Sequence, residues 1–372
     1  MGDVAVHEAT GEKERMLFVR LPWEIYRDDR YWVPPVIKED LAKISPSHPF
    51  YSHAEASLFI ARRNGRAVGR IAAIIDRHFC EYHSCRTGFF GFFESLPDPE
   101  TGPVLLETAR QWLKERDMEE MAGPMNPSTN DICGVLVDGF DSSPCFMMPY
   151  NPAYYPTLLE DYGLRKSMDL LAYVVEGPFP GVRRFETLVE RIRRKEPGLT
   201  VRPINTKRFD EELGRVKEVY NEAWSKNWGF VPITDGELAY LARGLKPLIV
   251  PDLCLFAYLG ETLIGFSFTL PDYNIVLKRL NGKVGLLGML RFLYLSRRIA
   301  GVRVMMLGIK HSFQKRGAES LLIYETFRRL LTRGYRTCEC SWILENNVLM
   351  RRGIEALGGR KHKMYRIYRM PI

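Results

Sequence analysis

The stretch Ile309–Tyr335, IKHSFQKRGAESLLIYETFRRLLTRGY, joins the end of an apolar run to a long amphipathic segment. The apolar run predicts a strand, and the residues from Ala318 to Gly334 have the apolar spacing that is typical of a helix. Between the two lies a short turn. It contains two cations and one glycine, and it reads Gln314-Lys315-Arg316-Gly317-Ala318.

This turn has the chemistry of a phosphate-binding loop. The first N–H groups of a helix have no partner inside the helix, and the helix dipole adds about half a positive charge at that end. Gly317 would let a ligand approach the backbone because glycine has no Cβ. Lys315 and Arg316 add positive charge. An ordinary strand-to-helix connection with surface cations can have the same composition, so the turn alone leaves both interpretations open.

Length and charge limit the classes of protein to consider. The chain has 372 residues, which is longer than a single core usually supports and therefore predicts two domains. The formal net charge is +8, which suits an anionic ligand or an anionic membrane surface. The sequence contains no basic and aromatic stripe of the kind that binds nucleic acid, so we expect no nucleic-acid partner.

The cysteines and the apolar segments indicate in which cellular compartment the protein functions. The seven cysteines are scattered without a CxxC pattern, which predicts reduced thiols in a cytoplasmic protein. We recognise neither a signal peptide nor an apolar stretch of about 20 residues, so we expect no membrane-spanning segment. The nearest approach to a metal site, His78-x-Cys80-x-x-His83-x-Cys85, matches no standard zinc spacing, and we expect no metal.

The order of predicted elements repeats at about half the chain length. Ser57–Asp76 predicts a hairpin around an Asn-Gly turn, and Leu253–Leu270 predicts another around Gly260-Glu261. A strand, a helix, a strand, a helix and a strand follow each hairpin. Pro and Gly interrupt the pattern at Glu176–Arg184. We therefore predict a mobile tail at 1–14, an N-terminal domain at 15–178, a linker and helix at 179–199, and a C-terminal domain at 200–372.

The second half resembles the GCN5-related N-acetyltransferase (GNAT) superfamily. The resemblance rests on Gln314, Arg316 and Gly317 after an apolar strand, on the later strand CECSWI, and on Asn346-Asn347 opening the last helix. It covers residues 200–372 by motif and 55–176 by topology. It implies an α/β (α+β) fold of two tandem GNAT-like domains. Each would have a mixed, mostly antiparallel sheet flanked by helices, with two central strands that splay apart.

The resemblance also implies an acyl-CoA donor. Its pyrophosphate would lie on the amides of the turn, and its pantetheine would lie between the splayed strands. The implied donor-binding residues are Leu307, Ile309, Gln314, Lys315, Arg316, Gly317, Ala318, Asn346 and Asn347. In the first half the corresponding turn has no Q-x-x-G and carries Glu94, Asp98 and Glu100 instead. This half therefore resembles a degenerate copy without a donor loop.

The catalytic candidates depart from the family pattern. The last small residue of the motif is replaced by Glu319, and the position of the usual proton-donating tyrosine holds Ile354. Tyr365, on the last strand, is our candidate acid, with Tyr368 as the alternative. An amine acceptor must lose a proton before it attacks, and a carboxylate can take that proton. Glu345 is the first candidate for this base and Glu339 is the second, although a carboxylate at 345 would also favour the helix that follows.

Two loops are candidates for the acceptor site. Gly123–Gly134 is polar at the end of a strand, although a turn-rich loop has the same composition. Asn221–Thr234 is aromatic, which suits either an acceptor pocket or a cluster that packs a helix on the sheet. The candidate substrate-binding residues are Asn126, Ser128, Asn130, Trp224, Asn227, Trp228 and Phe230.

An insertion at 281–301 mixes apolar residues with arginines. Such a segment forms a helix that lies in a membrane interface or, more commonly, packs on its own domain. We therefore consider peripheral contact through 283–300 with the inner face of the membrane. The expected function is acyl-CoA-dependent N-acyl transfer to an amine, including a lipid or long-chain amine, by an acyltransferase of groups other than aminoacyl groups. The alternative is a non-catalytic GNAT-fold protein that binds CoA or acyl groups. The sequence gives no oligomeric state.

Overall fold

A computed structural model describes residues 3–283 and 285–372. Val284, which belongs to the predicted membrane-contact segment, lies outside the described residues, as does the side chain of Leu286. The strands of the described part are β1 Val4–Glu8, β2 Ala54–Arg63, β3 Arg66–Asp76, β4 Thr87–Ser95, β5 Glu120–Gly123, β6 Met125–Asn126, β7 Ile132–Cys133, β8 Val135–Asp138, β9 Arg165–Glu176, β10 Leu199–Pro203, β11 Cys254–Leu259, β12 Thr262–Pro271, β13 Gly301–Ile309, β14 Thr337–Leu344 and β15 Arg360–Pro371.

Helices connect these strands. The α-helices are α1 Gly11–Arg20, α2 Pro22–Ile25, α3 Ile37–Lys43, α4 Arg77–His83, α5 Thr101–Lys114, α6 Tyr155–Tyr162, α7 Val182–Lys195, α8 Phe209–Ala223, α9 Asp235–Leu245, α10 Asn274–Leu280, α11 Leu286–Ser296, α12 Ala318–Thr332 and α13 Val348–Ala356. Short 3-10 helices cover Pro49–Ser52, Thr206–Arg208, Lys246–Leu248, Pro251–Leu253 and His311–Phe313.

The chain forms two compact units, and each is built from separate segments. Unit 1 contains Met1–Leu170, Asn274–Leu293 and Lys363–Ile372. Unit 2 contains Leu171–Tyr273 and Tyr294–His362. Helix α10 and most of strand β15 therefore belong to the first unit although they lie late in the sequence. The predicted sequence boundaries, at 15–178 and 200–372, stay predictions.

Unit 1 is a mixed sheet with the strand order β1-β2-β3-β4-β5-β15, and β8 also pairs with β15. Its hairpin β2–β3 turns at Asn64-Gly65, where both residues have positive φ, as a tight hairpin turn requires. Strands β4 and β5 are parallel, and their pairing ends at Phe89 and Ala122 although β4 continues to Ser95. Helix α5 packs its apolar side into the core of this unit.

The N-terminal segment, which we predicted to be mobile, is ordered in the structure from Val4 onward. Strand β1 pairs antiparallel with β2, from Val4 opposite Arg63 to Glu8 opposite Phe59. Glu14 of α1 accepts hydrogen bonds from Arg62 at 2.9 and 3.0 Å. Strand β2 offers an open edge of backbone N–H and C=O groups, and a segment at such an edge can pair without a strong hydrophobic pattern of its own. The mobility of residues 1–14 stays a prediction.

Unit 2 has the strand order β9-β14-β13-β12-β11-β10. The parallel strands β13 and β14 pair only from Gly301 opposite Thr337 to Val304 opposite Cys340. A register shift against β12 places an extra residue, Met305, in β13 directly after this point. The central strands therefore separate beyond Val304 and Cys340, as we predicted. The mixed α/β architecture is confirmed.

Candidate active site

A cleft opens in unit 2 where β13 and β14 separate. Its walls come from the two strands and from helices α12 and α13, and they are mostly apolar. Thioether and branched side chains adapt to a flexible aliphatic ligand, so the cleft can hold an extended chain. Its main apolar lining residues are Met305, Met306, Leu307, Ile323, Phe327 and Leu344.

The aromatic loop after α8 contributes Trp224 and Asn227 to the same cleft. The Trp224 ring stacks on Phe266, with the ring centroids 5.5 Å apart and an interplanar angle of 27°. A Cβ at Gly308 would lie 2.3 Å from the Trp224 ring, so glycine in β13 makes room for the indole. Trp224 therefore packs the loop onto the sheet and lines the cleft, which combines the two alternatives left open by the sequence.

The other two aromatic candidates lie differently. Phe230 is buried and packs beside Tyr220, with the ring centroids 5.8 Å apart. Trp228 is half-buried and is not among the described residues that line the cleft. The position of Phe230 thus favours the interpretation that the aromatic loop packs a helix on the sheet. A substrate role for Trp228 stays a prediction.

The turn before α12 has no side-chain cap. Gly317 caps the helix with φ 89° and offers no side chain to the first turn, whereas the Glu319 carboxylate interacts with its own backbone N–H. Lys315 and Arg316 are exposed beside it. Gln314 Nε2 lies 3.5 Å from the Ile309 carbonyl oxygen, which ties the turn to the end of β13. The helix start and the two cations together suit an anionic ligand.

Two further structural features, the backbone conformation and the packing against α7, require glycine at position 317. Its positive φ is a conformation that side chains rarely adopt, and a Cβ would lie 2.7 Å from two carbons of Ile192 in α7. Close approach by a ligand is therefore not the only requirement at this position. Arg316 is partly neutralised, because its Nη1 lies 3.8 Å from a carboxylate oxygen of Glu196.

Glu319, in the first turn of α12, departs from the family motif. Burial raises its pKa, and its own backbone N–H opposes that rise only in part. A raised pKa favours the neutral acid, which repels a bound diphosphate less than a carboxylate would.

The corresponding turn of unit 1 is built in the opposite way. Asp98 accepts hydrogen bonds from the backbone N–H groups of Glu100 at 3.1 Å and Thr101 at 2.8 Å. Its second oxygen accepts from the Thr101 hydroxyl, and Arg63 donates to the first at 3.0 Å. The start of α5 is thus already capped by a carboxylate. This supports the prediction that the first half has no donor loop.

A buried polar network lies beside the cleft in unit 2. Ser341, which lines the cleft, donates a hydrogen bond to Glu339 Oε1 at 2.6 Å and accepts one from Arg303 Nε at 2.9 Å. His362 Nε2 lies 2.8 Å from Glu339 Oε2. Burial pushes the pKa of Glu339 up, but the hydrogen bonds from His362 and Ser341 and the charge of Arg303 outweigh it and lower the pKa.

Sequence reasoning missed this network as a unit. Glu339 was only the second candidate base, and Arg303 was not considered. The two residues are register partners on β13 and β14. The signal that could have found them is a pair of opposite charges, one inside each of two apolar strands that were predicted to be neighbours.

The candidate base and the residues after it follow the end of β14, next to residues that line the cleft. Glu345 follows β14 directly, between Leu344 and Asn347, which both line the cleft. Its main-chain oxygen accepts a hydrogen bond from Arg351 at 2.9 Å. Asn347 caps α13 by accepting from the Met350 N–H at 3.2 Å. Asn347 therefore has a structural role, and Asn346 beside it is exposed.

The candidate acid lies elsewhere. Tyr365 is on the part of β15 that belongs to unit 1, where it is buried. Ile354, at the position of the usual tyrosine, lines the cleft of unit 2. The geometry of the cleft therefore gives Tyr365 no support, and its role as the acid stays a prediction.

The polar loop of unit 1 is held together by its own side chains. Asn126 Oδ1 accepts from the Phe92 N–H at 2.6 Å. The Ser128 hydroxyl donates to Asp131 at 2.8 Å and accepts from the Asn130 N–H at 3.1 Å. The predicted substrate residues are thus divided between the two units. The bonds at Ser128 and Asn130 match the turn interpretation of the sequence.

Comparison with known proteins places the chain in a family. No protein-family model matches it. It is 33% identical over 378 residues to the bacterial ceramide synthase of Caulobacter vibrioides, which covers 98% of this chain and 97% of that protein. It is 32% identical over 366 residues to protein YghO of Escherichia coli, which covers 95% of this chain and 92% of that protein.

Solved structures agree on the fold. A tandem GNAT protein from the clavulanic acid biosynthesis pathway superposes with a TM-score of 0.58 at 13% identity, over 99% of this chain and 98% of that chain. A GCN5-related N-acetyltransferase from Sphaerobacter thermophilus superposes with a TM-score of 0.54 at 14% identity, over 99% of this chain and 95% of that chain. The chain has a tandem GNAT fold, and it belongs to the same family as the Caulobacter ceramide synthase and YghO.

Proposed function

We propose that the protein is an N-acyltransferase that moves an acyl group from acyl-CoA to the amino group of a long-chain lipid amine. The observation that carries this proposal is the 33% identity to a bacterial ceramide synthase across 98% of the chain. A ceramide is a long-chain base whose amine carries an acyl group, so its synthesis forms an amide bond. The tandem GNAT fold is compatible with this chemistry, although fold alone does not give function.

The donor is proposed to lie in unit 2. The start of α12, where Gly317 leaves the helix without a side-chain cap and Lys315 and Arg316 lie beside it, suits the diphosphate of CoA. The apolar cleft suits the acyl chain. Because β13 and β14 stop pairing at Val304 and Cys340, main-chain groups on their facing edges are available to the thioester.

The reaction itself needs two proton transfers. The ammonium of the acceptor loses a proton, and the free amine attacks the thioester carbonyl. The tetrahedral intermediate then expels the CoA thiolate, and the nitrogen gives up its second proton, which protonates the thiolate and leaves a neutral amide and CoA. Glu345 is proposed as the base because it directly follows Leu344, which lines the cleft, and Tyr365 remains a proposed acid without such support.

The alternative, a protein that binds CoA or acyl groups without turnover, also has an observation in its favour. Ile354 presents an apolar side chain to the cleft, at the position where GNAT proteins usually have the proton-donating tyrosine. Incubation of the purified protein with palmitoyl-CoA and sphinganine separates the two. An enzyme forms an amide that mass spectrometry detects, whereas a binding protein shows a raised melting temperature with the donor and no product.

The proposed membrane contact lies on helix α11. Leu287, Leu290 and Leu293 recur every three residues on this helix, and they are 82%, 61% and 56% exposed. Contiguous exposed leucines are rare on a soluble surface and mark a site of interaction. Arg291 and Arg297 are exposed on or beside the same helix, which adds attraction to anionic lipid.

Helix α11 is therefore proposed to lie in the interface of an anionic membrane, at its inner face. None of the described helices is long and apolar enough to cross a membrane. A lipid amine is poorly soluble in water, and an enzyme bound at the surface would meet it there. Peripheral binding thus complements the proposed acceptor.

The triple substitution Leu287→Glu, Leu290→Glu and Leu293→Glu is expected to lower binding to phosphatidylglycerol-containing vesicles at least tenfold. Each leucine loses its favourable transfer into the apolar layer, and the new carboxylates meet an anionic surface. Co-sedimentation measures the bound fraction. The wild type is also expected to bind less at high salt and less to pure phosphatidylcholine vesicles.

The control for this experiment is Leu349→Glu in α13, because Leu349 is as exposed as Leu287, at 82%. It should leave vesicle binding unchanged. Equal binding by the triple variant, or an equal loss in the control, would contradict the assignment to α11. A wild-type dimer that becomes monomeric in the triple variant would assign this face to a second copy of the chain instead.

A further inference from the structure

Unit 1 contains a cavity of about 190 Å³ that the proposed reaction does not use. It lies where β4 continues beyond its last pairing with β5, at Phe89 and Ala122. This is the position in unit 1 that corresponds to the cleft between β13 and β14 in unit 2. The degenerate copy has thus kept an opening at its splayed strands although its phosphate turn is closed by Asp98.

Arg70, which is buried, and Glu94, which is half-buried, both line this cavity without a direct hydrogen bond between them. Glu94 Oε2 accepts from the hydroxyls of Tyr26 at 2.9 Å and Tyr155 at 2.7 Å. Glu94 Oε1 lies 3.7 Å from Arg70 Nη2, which is beyond hydrogen-bonding distance. Arg70 is 5% exposed, its Nη1 donates to the Phe18 carbonyl oxygen at 2.6 Å, and its Nε has no partner among the residues that the structure describes.

An unsatisfied donor of this kind is costly. Leaving a buried polar group without a hydrogen bond costs about 1–3 kcal/mol, and more when the group is charged. Burial also raises the pKa of Glu94, against the opposing effect of Arg70 and the two tyrosine hydroxyls. A group that accepts from Arg70 Nε would satisfy this donor, and if it also donates to Glu94 Oε1 it would stabilise the carboxylate.

A hydroxyl group meets this requirement, since it is one donor and two acceptors on a single atom. An ammonium can only donate, and a carboxylate can only accept. The cavity volume of about 190 Å³ leaves room for a small polar head group.

The walls favour a ligand with an apolar part next to its hydroxyl. The rings of Tyr26 and Trp32 stack at 4.9 Å with an interplanar angle of 6°, and both line the cavity with Phe92. Asn126 also lines it and brings a side-chain amide near the same opening. These walls would contact methylene groups and exclude bulk water.

We propose that this cavity binds the hydroxylated head group of an amphipathic alcohol, with Arg70 Nε donating to the ligand hydroxyl and Glu94 Oε1 accepting from it. The choice of an amino diol as the molecule of this class rests on the proposed function, because a long-chain base carries such a head group. The site itself rests only on the geometry of unit 1.

The test compares two soluble amines of equal chain length, 2-aminooctane-1,3-diol and octylamine, by calorimetry without acyl-CoA. The wild type is expected to bind the diol at least tenfold more tightly. Glu94→Gln keeps an oxygen for the two tyrosines but loses the carboxylate, and Arg70→Lys keeps the charge but loses Nε. Both variants are expected to prefer the diol less than threefold.

A matched control is Arg62→Lys on the adjacent strand β2, where the arginine pairs with Glu14. It should keep the preference of the wild type. No preference in the wild type, or a full preference in both cavity variants, would overturn the proposal and leave a buried water as the occupant. Because no donor is present, that failure would leave the proposed acyl transfer untouched, and a failure of acyl transfer would leave the binding result standing.

Discussion

Replacement of Glu339 with alanine is expected to lower the free energy of unfolding by about 3–5 kcal/mol at neutral pH. Glu339 is 6% exposed and Arg303 is 4% exposed, and the variant would leave the arginine charge buried beside a Ser341 hydroxyl that has lost its acceptor. Removal of one member of a buried ionic network costs more than the network contributes, because the remaining charge is uncompensated.

The same residue predicts a dependence on pH. Because the pKa of Glu339 is lowered in the folded protein, its carboxylate stabilises the fold at every pH above its ordinary value of 4.5. This contribution is lost as the pH falls below that value and through the lowered one. The difference between wild type and Glu339→Ala, measured by urea unfolding, should therefore be full at pH 7 and shrink below about pH 4.5.

A double variant separates the charge effect from lost packing. Arg303→Met with Glu339→Leu removes both charges and keeps apolar volume, and it should be more stable than Glu339→Ala alone. A Glu339→Ala protein within 1 kcal/mol of the wild type would show that the network does not hold the central strands together.

Replacement of both cations in the turn with carboxylates, Lys315→Glu with Arg316→Glu, is expected to weaken CoA binding about a hundredfold. Each reversal replaces attraction to the diphosphate with repulsion, and a tenfold loss per position corresponds to about 1.4 kcal/mol. The loss should diminish at high salt, because both side chains are exposed. Calorimetry with CoA measures the affinity, and the melting temperature shows whether the fold is kept.

This substitution tests the turn more cleanly than a change at Gly317. A side chain at 317 would meet Ile192 at 2.7 Å and would adopt a strained φ of 89°, so it would disturb the fold as well as the site. The control is Lys207→Glu with Arg208→Glu, another adjacent lysine and arginine in unit 2 with the same change in net charge. CoA affinity that falls equally in both, or in neither, would show that the donor lies elsewhere.

The features that sequence reasoning predicted correctly are those encoded locally. Gly317 lies between a strand pattern and a helix pattern, so the start of α12 was readable from a few residues. The splay of β13 and β14 followed from the family resemblance. Trp224 was singled out because aromatic residues cluster in its loop; it lines the cleft, and its role in binding a substrate stays a prediction.

The features that it missed depend on distant partners. Ile192 restricts Gly317 from another helix, and no local pattern indicates that contact. The pairing of β1 with β2 and the place of Lys363–Ile372 in unit 1 depend on which edges are open in the folded sheet. The Arg70 and Glu94 pair was missed for the same reason, since the two residues meet only when β3 and β4 align.

The most direct test of acyl transfer is one reaction in which two products are counted. Purified wild-type protein is incubated with palmitoyl-CoA and sphinganine, the amide is quantified by mass spectrometry, and free CoA is quantified by its thiol. We predict one N-acyl product for each CoA released, over many turnovers, and no amide from either substrate alone. CoA binding without amide, or thiol release without amide, would contradict the account and favour a GNAT-fold binding protein or a thioesterase.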